Sequence, residues 1–171
     1  MGHFSTAEML LEAGADPSPP DGLCRNSWDP EDLRNIVKNL ENYNDPEYLV
    51  PSLLDDAAVQ FINMGQISNA EEMYRRALEG YEKVFGVEYL WTLDSIHKLA
   101  SVLQDQGKHE MAEEMYRRAL AGYEKIRGVK YFMTLKTASD LASVLQNQGK
   151  YEAAEEMKEK RRRWESSIPT D

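Results

Sequence analysis

The sequence predicts an all-α fold, built as an array of helix pairs stacked side by side. Three observations carry that expectation. The stretch Glu71–Lys108 returns as Glu113–Lys150, displaced by 42 residues without a gap and identical at 26 of 38 positions. Each copy holds two segments whose apolar residues recur at helical spacing. A glycine closes the second segment of each copy, at Gly107 and Gly149, with Gly65 in the same register upstream. A fixed period of this length marks a stack of hairpins in which neither helix can bury its apolar face alone.

Composition agrees. The chain has 171 residues, 42% hydrophobic and 29% charged, which suits a folded helical protein rather than a disordered one. Thirty acidic residues against 20 basic give a net charge of −10. That balance argues against nucleic acid as the main ligand, because duplex binding depends on neutralising phosphates. It suits neutral or basic protein surfaces. Cys24 is the only cysteine, so neither an intrachain disulfide nor a cysteine-based zinc site is expected. No apolar run approaches the ~20 residues that cross a bilayer. The N-terminus lacks the basic start and apolar block of a secretion signal. The expectation is a cytoplasmic or nuclear protein without a membrane partner.

Residues 1–25 read as one short helix and a turn. Phe4, Ala7, Leu10 and Leu11 follow helical spacing, Gly14 closes the helix, and Pro17, Pro19, Pro20, Asp21 and Gly22 favour turns. Gly2-His3, Leu10-Leu11 and Gly14-Ala15-Asp16, at these spacings, resemble the second half of an ankyrin repeat. A Met start inside such a repeat predicts a truncated or degenerate remnant of a longer ankyrin-containing protein.

Residues 26–50 read as a bridging helix: Asp29 caps it, Pro30 takes the first helical position and Glu31 the first turn. Leu33, Ile36, Val37 and Leu40 form its stripe. Asp45-Pro46-Glu47-Tyr48-Leu49 echoes Gly86-Val87-Glu88-Tyr89-Leu90 at a displacement of 41. The bridge therefore reads as the second helix of a decayed preceding repeat.

Three helix pairs follow over residues 51–165, with a frayed tail at 166–171. The first helices carry Leu54, Ala57, Ala58 and Phe61, then Ile96, Leu99, Ala100 and Leu103, then Ala138, Leu141, Ala142 and Leu145. The second helices carry Ala70, Met73, Tyr74, Ala77, Leu78 and Tyr81, then Ala112, Met115, Tyr116, Ala119, Leu120 and Tyr123. These spacings put one wide apolar face on each helix, so the Tyr and Met residues read as core. Ser68 with Glu71 is read as a capping box, and Thr92 and Thr134 as N-caps. Glu71-Glu72, Glu113-Glu114 and Glu155-Glu156 are expected in N-terminal turns, where the helix dipole favours them. After Met157 the pattern changes: Lys158, Arg161, Arg162 and Glu165 replace Tyr116, Ala119, Leu120 and Tyr123. The last helix of an array needs a polar outer face. Glu156–Lys160 and Glu159–Arg163 are the expected ion pairs, Trp164 is expected to fold back, and Lys158–Arg163 reads as a solvated cap rather than a nuclear-import or anionic-surface patch. His3, His97 and His109 lack metal-type spacing and are expected at surfaces or turns.

Leu99-Ala100, Leu103, Gly107, Ala112, Tyr116 and Ala119, with the helix ends Gly80–Lys83 and Gly122–Lys125, resemble the tetratricopeptide repeat. The likeness is to its 42-residue version, found in kinesin light chains and many fungal multidomain receptors. It covers about residues 51–165, and GVEYLW and GVKYFM replace the family's usual Gly-Pro-x-His-Pro link. The resemblance implies a right-handed α-solenoid whose first helices line a concave groove. The implied groove residues are Asp55, Val59, Ile62 and Asn63; Asp94, His97, Ser101, Gln104 and Asp105; and Lys136, Ser139, Ser143, Gln146 and Asn147. The basic carboxylate clamp of the family's chaperone-binding members is not expected, because Asp55, Val59 and His97 occupy its positions beside Lys136. The implied function is a non-catalytic scaffold for a neutral or basic peptide or helix of another protein, with no cofactor or metal. Leu90, Trp91, Phe132 and Met133 are a rival surface. A sensor fragment of a larger ankyrin, nucleotide-binding and tetratricopeptide receptor is the alternative reading.

Overall fold

The computed structural model describes residues 49–166. Among them are six helices and no strand: α1 Leu49–Asn63, α2 Ile67–Phe85, α3 Leu90–Asp105, α4 His109–Arg127, α5 Phe132–Asn147 and α6 Tyr151–Ser166. The ankyrin-like segment, nearly all of the bridge, and the tail beyond Ser166 lie outside the described residues. The chain divides into two compact units, residues 1–77 and 78–171, with the boundary inside α2.

One capping geometry ends all three first helices. Gly65, Gly107 and Gly149 have φ of 72°, 74° and 77°, a left-handed conformation that costs glycine little. At α3, the Gly107 N–H donates to Gln104 O at 2.9 Å and the Lys108 N–H to Leu103 O at 2.9 Å. The same two bonds recur at Gly65–Gln66 and Gly149–Lys150. They satisfy carbonyls that the helix end would otherwise leave open.

In the first unit, Leu53, Leu54, Ala57, Ala58 and Phe61 of α1 are buried, as are Ala70, Met73, Tyr74 and Ala77 of α2. Burial, then the charges of Asp55 and Asp56, push the Tyr74 phenol up to about 12. The expected capping box is not formed. The helix begins at Ile67, one residue before Ser68, and Gln66 O accepts the Asn69 and Ala70 N–H groups.

In the second unit, α4 packs on α3 and α5, α6 packs on α5, and α3 touches α5. Leu99, Leu103, Tyr116, Tyr123, Leu141 and Leu145 are fully buried. Ala100, Ala112, Ala119, Ala138 and Ala142 let the backbones between them approach closely. Of α6, only Ala154 is buried, as befits a helix whose outer face meets water.

Thr92 and Thr134 are not N-caps. Tyr89 and Tyr131 hold the cap positions without a side-chain bond, because the helices start at Leu90 and Phe132. The buried threonine hydroxyls reach back instead, donating to Gly86 O at 2.8 Å and Gly128 O at 2.9 Å. Gly86 and Gly128 are themselves left-handed, so each link is a glycine turn tied to the next helix.

The acidic pairs also differ from expectation. Glu71 and Glu113 sit a turn inside their helices and hold the arginine four residues on: Arg75 Nη2 is 2.7 Å from Glu71 Oε1, and Arg117 Nη2 is 2.8 Å from Glu113 Oε1. Glu113 Oε2 also takes Lys150 at 2.7 Å. Partial burial pushes the Glu113 carboxyl up, but hydrogen bonds from Lys150, Arg117 and Gln148 outweigh it and hold the group below the ordinary glutamate range. Lys160 pairs with Glu124 at 2.9 Å rather than with Glu156, because the neighbouring helix brings that carboxylate within reach. Its ammonium also lies 4.5 Å over the half-buried Trp164 ring.

Candidate binding surface

The exposed side of α3 and α5 follows from their composition. Their apolar stripes are used up in the core, leaving Ser, Gln, Asn, Asp and Lys outside. Two phenols from α4 arrange the α3 side. Tyr116 OH donates to Gln104 Oε1 at 3.2 Å, and Tyr123 OH donates to Asp94. Burial first, then nearby carboxylates, raise both phenols far above their ordinary range, and the bond to Asp94 adds to this at Tyr123. Tyr116 also bonds Ser101, which acts in the opposite direction. On α5, α6 supplies the partners: Arg161 Nη1 meets Ser139 Oγ and Lys158 Nζ meets Gln146 Oε1, each at 3.5 Å. Asp105, Ser143 and Asn147 are exposed. In the first unit, Val59 and Asn63 are exposed, whereas Asp55 is only 7% exposed and presents little to a ligand.

His97 overturns the expectation of a surface role, being 5% exposed. Its Nδ1 lies 3.0 Å from Thr137 Oγ1, and its Nε2 lies 3.2 Å from Lys136 Nζ and 3.4 Å from Asp140 Oδ2. Lys136 and Asp140 are themselves 2.8 Å apart. The Tyr116 ring packs edge-on against the imidazole at 5.3 Å. An ammonium can only donate, so Nε2 is the acceptor and Nδ1 carries the proton, donated to Thr137. Burial, then the Lys136 charge, pull the imidazole down to about 4, with Asp140 opposing and Lys98 assisting. His97 is therefore neutral at neutral pH.

Thr137 and Asp140 were absent from the groove residues expected from the sequence. The four-residue step from Lys136 to Asp140 was the available signal, but the meeting of α3 with α5 at His97 has no trace in spacing.

The link residues divide. Trp91 and Phe132 are exposed, while Leu90 and Met133 are half-buried. Trp91 stands edge-on to Phe85 at 5.2 Å and to Tyr89 at 5.6 Å, so part of this surface is occupied by its own neighbours. Elsewhere, a cleft of about 300 Å³ is bordered by Arg117, Leu145, Met157, Lys160 and Arg163. Among the described residues no helix is long and apolar enough to cross a membrane.

A family model described as Tetratricopeptide repeat matches residues 51–125 and again 93–163. No curated protein matches the chain. Among solved structures, it is similar to a kinesin light chain candidate of Podosopora anserina with nearly identical TPR-like repeats. The TM-score is 0.71 at 21% identity, covering 82% of this chain and 67% of that one. A variant of that protein gives a TM-score of 0.72 at 20% identity over 81% of this chain; the chain spans 66% of its length. BtubC (BKLC) from P. vanneervenii is similar at a TM-score of 0.56 and 14% identity, covering 82% of this chain and 75% of that one. At these identities the likeness extends to the fold alone.

Proposed function

This chain belongs to the tetratricopeptide repeat family, and on that premise we propose that it is a non-catalytic scaffold which binds a peptide or helical segment of another protein along its first helices. The observation that carries this reading is the polar face of α3 and α5. Gln104, Ser139 and Gln146 are each tethered to a residue of the following helix, which reduces the ordering cost of binding. Amides and hydroxyls supply both donors and acceptors, as an extended backbone or a polar helix face requires. The acidic balance of the chain, −10 overall, favours a neutral or basic segment over an acidic one.

The test is affinity capture from native extract with the wild-type chain and with Gln104→Glu and Gln146→Glu, followed by mass spectrometry. The expected result is a partner retained by the wild type and depleted by both variants. Equal capture by all three chains rejects the first-helix face as the site. Retention by variants altered at Trp91 or Phe132 would then decide whether the link surface is used.

A further inference from the structure

The arrangement at His97 says more about what the α3/α5 face can recognise, given the scaffold reading on which this depends. An ammonium has three N–H donors. Lys136 directs one to Asp140 Oδ2 at 2.8 Å and one to His97 Nε2 at 3.2 Å. One remains, on a side chain 45% exposed. Asp140 uses Oδ2 for both Lys136 and the contact with His97, while Oδ1 receives no hydrogen bond from the described residues. The surface thus offers one free donor beside one open acceptor, their charges offsetting each other.

That pairing discriminates among ligands. An incoming carboxylate meets Asp140, and an incoming ammonium meets Lys136, so neither gains the full attraction of a lone opposite charge. A residue of an extended main chain, whose own N–H and carbonyl point to the same side, can use both groups without that penalty. We propose that the Lys136–Asp140 pair is the recognition point for the main-chain N–H and carbonyl of one residue of an extended, uncharged segment, and that His97 is the positioning residue that holds the pair ready. The carbonyl of the segment accepts from Lys136 Nζ, and its N–H donates to Asp140 Oδ1.

His97 can hold Lys136 only while Nε2 keeps its lone pair. A proton there would face the Lys136 ammonium across 3.2 Å, and the lysine would have to leave. The charged or titratable groups about the ring are Lys98 on α3, Tyr116 on α4, and Lys136 and Asp140 on α5. Only Asp140 favours the charged imidazole. Burial and the two lysines oppose it, consistent with a group that stays neutral until about pH 4.

The test uses the full chain and short acetyl- and amide-capped peptide pools of neutral, acidic or basic composition. Binding is read by amide chemical-shift mapping and by fluorescence anisotropy. The expected result is that the neutral pool binds more tightly than the acidic one and shifts signals from α3 and α5. N-methylation of a single backbone amide in the best neutral peptide should weaken it about three- to tenfold, the worth of one or two hydrogen bonds. Lys136→Met and Asp140→Asn should each do the same with the thermal midpoint little changed. His97→Leu should weaken binding, and His97→Gln, whose carbonyl can accept from Lys136, should largely restore it. The wild-type affinity should fall as the pH is lowered from about 5 through about 4 more steeply than that of His97→Gln. Tighter binding of the acidic pool overturns the proposal. If neutral peptides shift α3 and α5 yet both Lys136→Met and Asp140→Asn leave the affinity unchanged, the pair is not the recognition point and the scaffold reading stands. If no pool shifts either helix, both readings fall.

Discussion

A Cβ added at Gly122 would stand 2.4 Å from Leu93 Cδ2 and 2.7 Å from Cδ1. Gly122 lies inside α4, and Leu93 is buried in the first turn of α3. A glycine in a helix interior costs about 1 kcal/mol relative to alanine, so its presence here reflects the close approach of the leucine. Gly122→Ala should therefore destabilise the protein by roughly 1–2 kcal/mol, the cost of overpacking exceeding the gain in helix propensity. Urea unfolding measures it. The effect should shrink in a Leu93→Ala background, where the methyl groups are gone. A stabilised Gly122→Ala chain would show that Leu93 moves aside freely.

The threonine tethers give a second expectation. Thr92 and Thr134 are fully buried, and each donates to the carbonyl of the left-handed glycine six residues before it. Valine keeps the volume but removes the donor. Thr92→Val and Thr134→Val should each cost about 1 kcal/mol in denaturant unfolding, and serine should retain more of the bond than valine. Equal stabilities for serine and valine would mean that the hydroxyl contributes nothing.

The period explains how far the sequence could be read. Leu99, Tyr116 and Leu141 face the core because a 3.6-residue stripe leaves no other face apolar enough, and Gly107 and Gly149 end helices because little else adopts their φ cheaply. Thr92 and Thr134 were misread because capping statistics describe a helix start in isolation. Here the glycine turn moves the cap three residues earlier, to Tyr89 and Tyr131, and turns both hydroxyls backward. His97 was misread for a different reason. Its partners lie 39 to 43 residues away on α5, and helical spacing within α3 carries no information about where α5 will cross it. Lys160 is similar: an i,i+4 partner was available in Glu156, but Glu124 came within 2.9 Å from the adjoining helix.

Alkaline titration should expose the buried phenols. Tyr74 is raised to about 12, and Tyr116 and Tyr123 further still, chiefly by burial. A phenol raised in the folded state adds stability in full below its ordinary value of 10, and that contribution is lost as the pH rises through the folded value. Ultraviolet difference titration should show the exposed tyrosines ionising near their normal range, with a later, cooperative step accompanied by loss of helical circular dichroism. Smooth ionisation of all nine tyrosines with the helices intact would contradict the burial of these three.

His97 predicts an acid limb of opposite origin. The imidazole is lowered from 6.5 to about 4 on folding, first by burial and then by Lys136. Between those values the unfolded chain binds the proton and the folded chain does not, so stability must rise with pH across that window. Read downward, stability is complete above about pH 6.5, declines toward pH 4 and gains no further slope from this residue below that. The full change is on the order of 3 kcal/mol, taking 1.36 kcal/mol per unit. His97→Gln removes the titration while keeping an acceptor for Lys136. Its unfolding free energy should be flatter than the wild type between about pH 6 and pH 5, above the range where carboxylates such as Glu113 begin to protonate. Lys136→Met should make the limb smaller and end it at a higher pH, since the cation that opposes protonation of the folded imidazole is gone. Parallel pH profiles for the wild type and His97→Gln would mean that the imidazole is solvated rather than enclosed by Thr137, Lys136 and Tyr116.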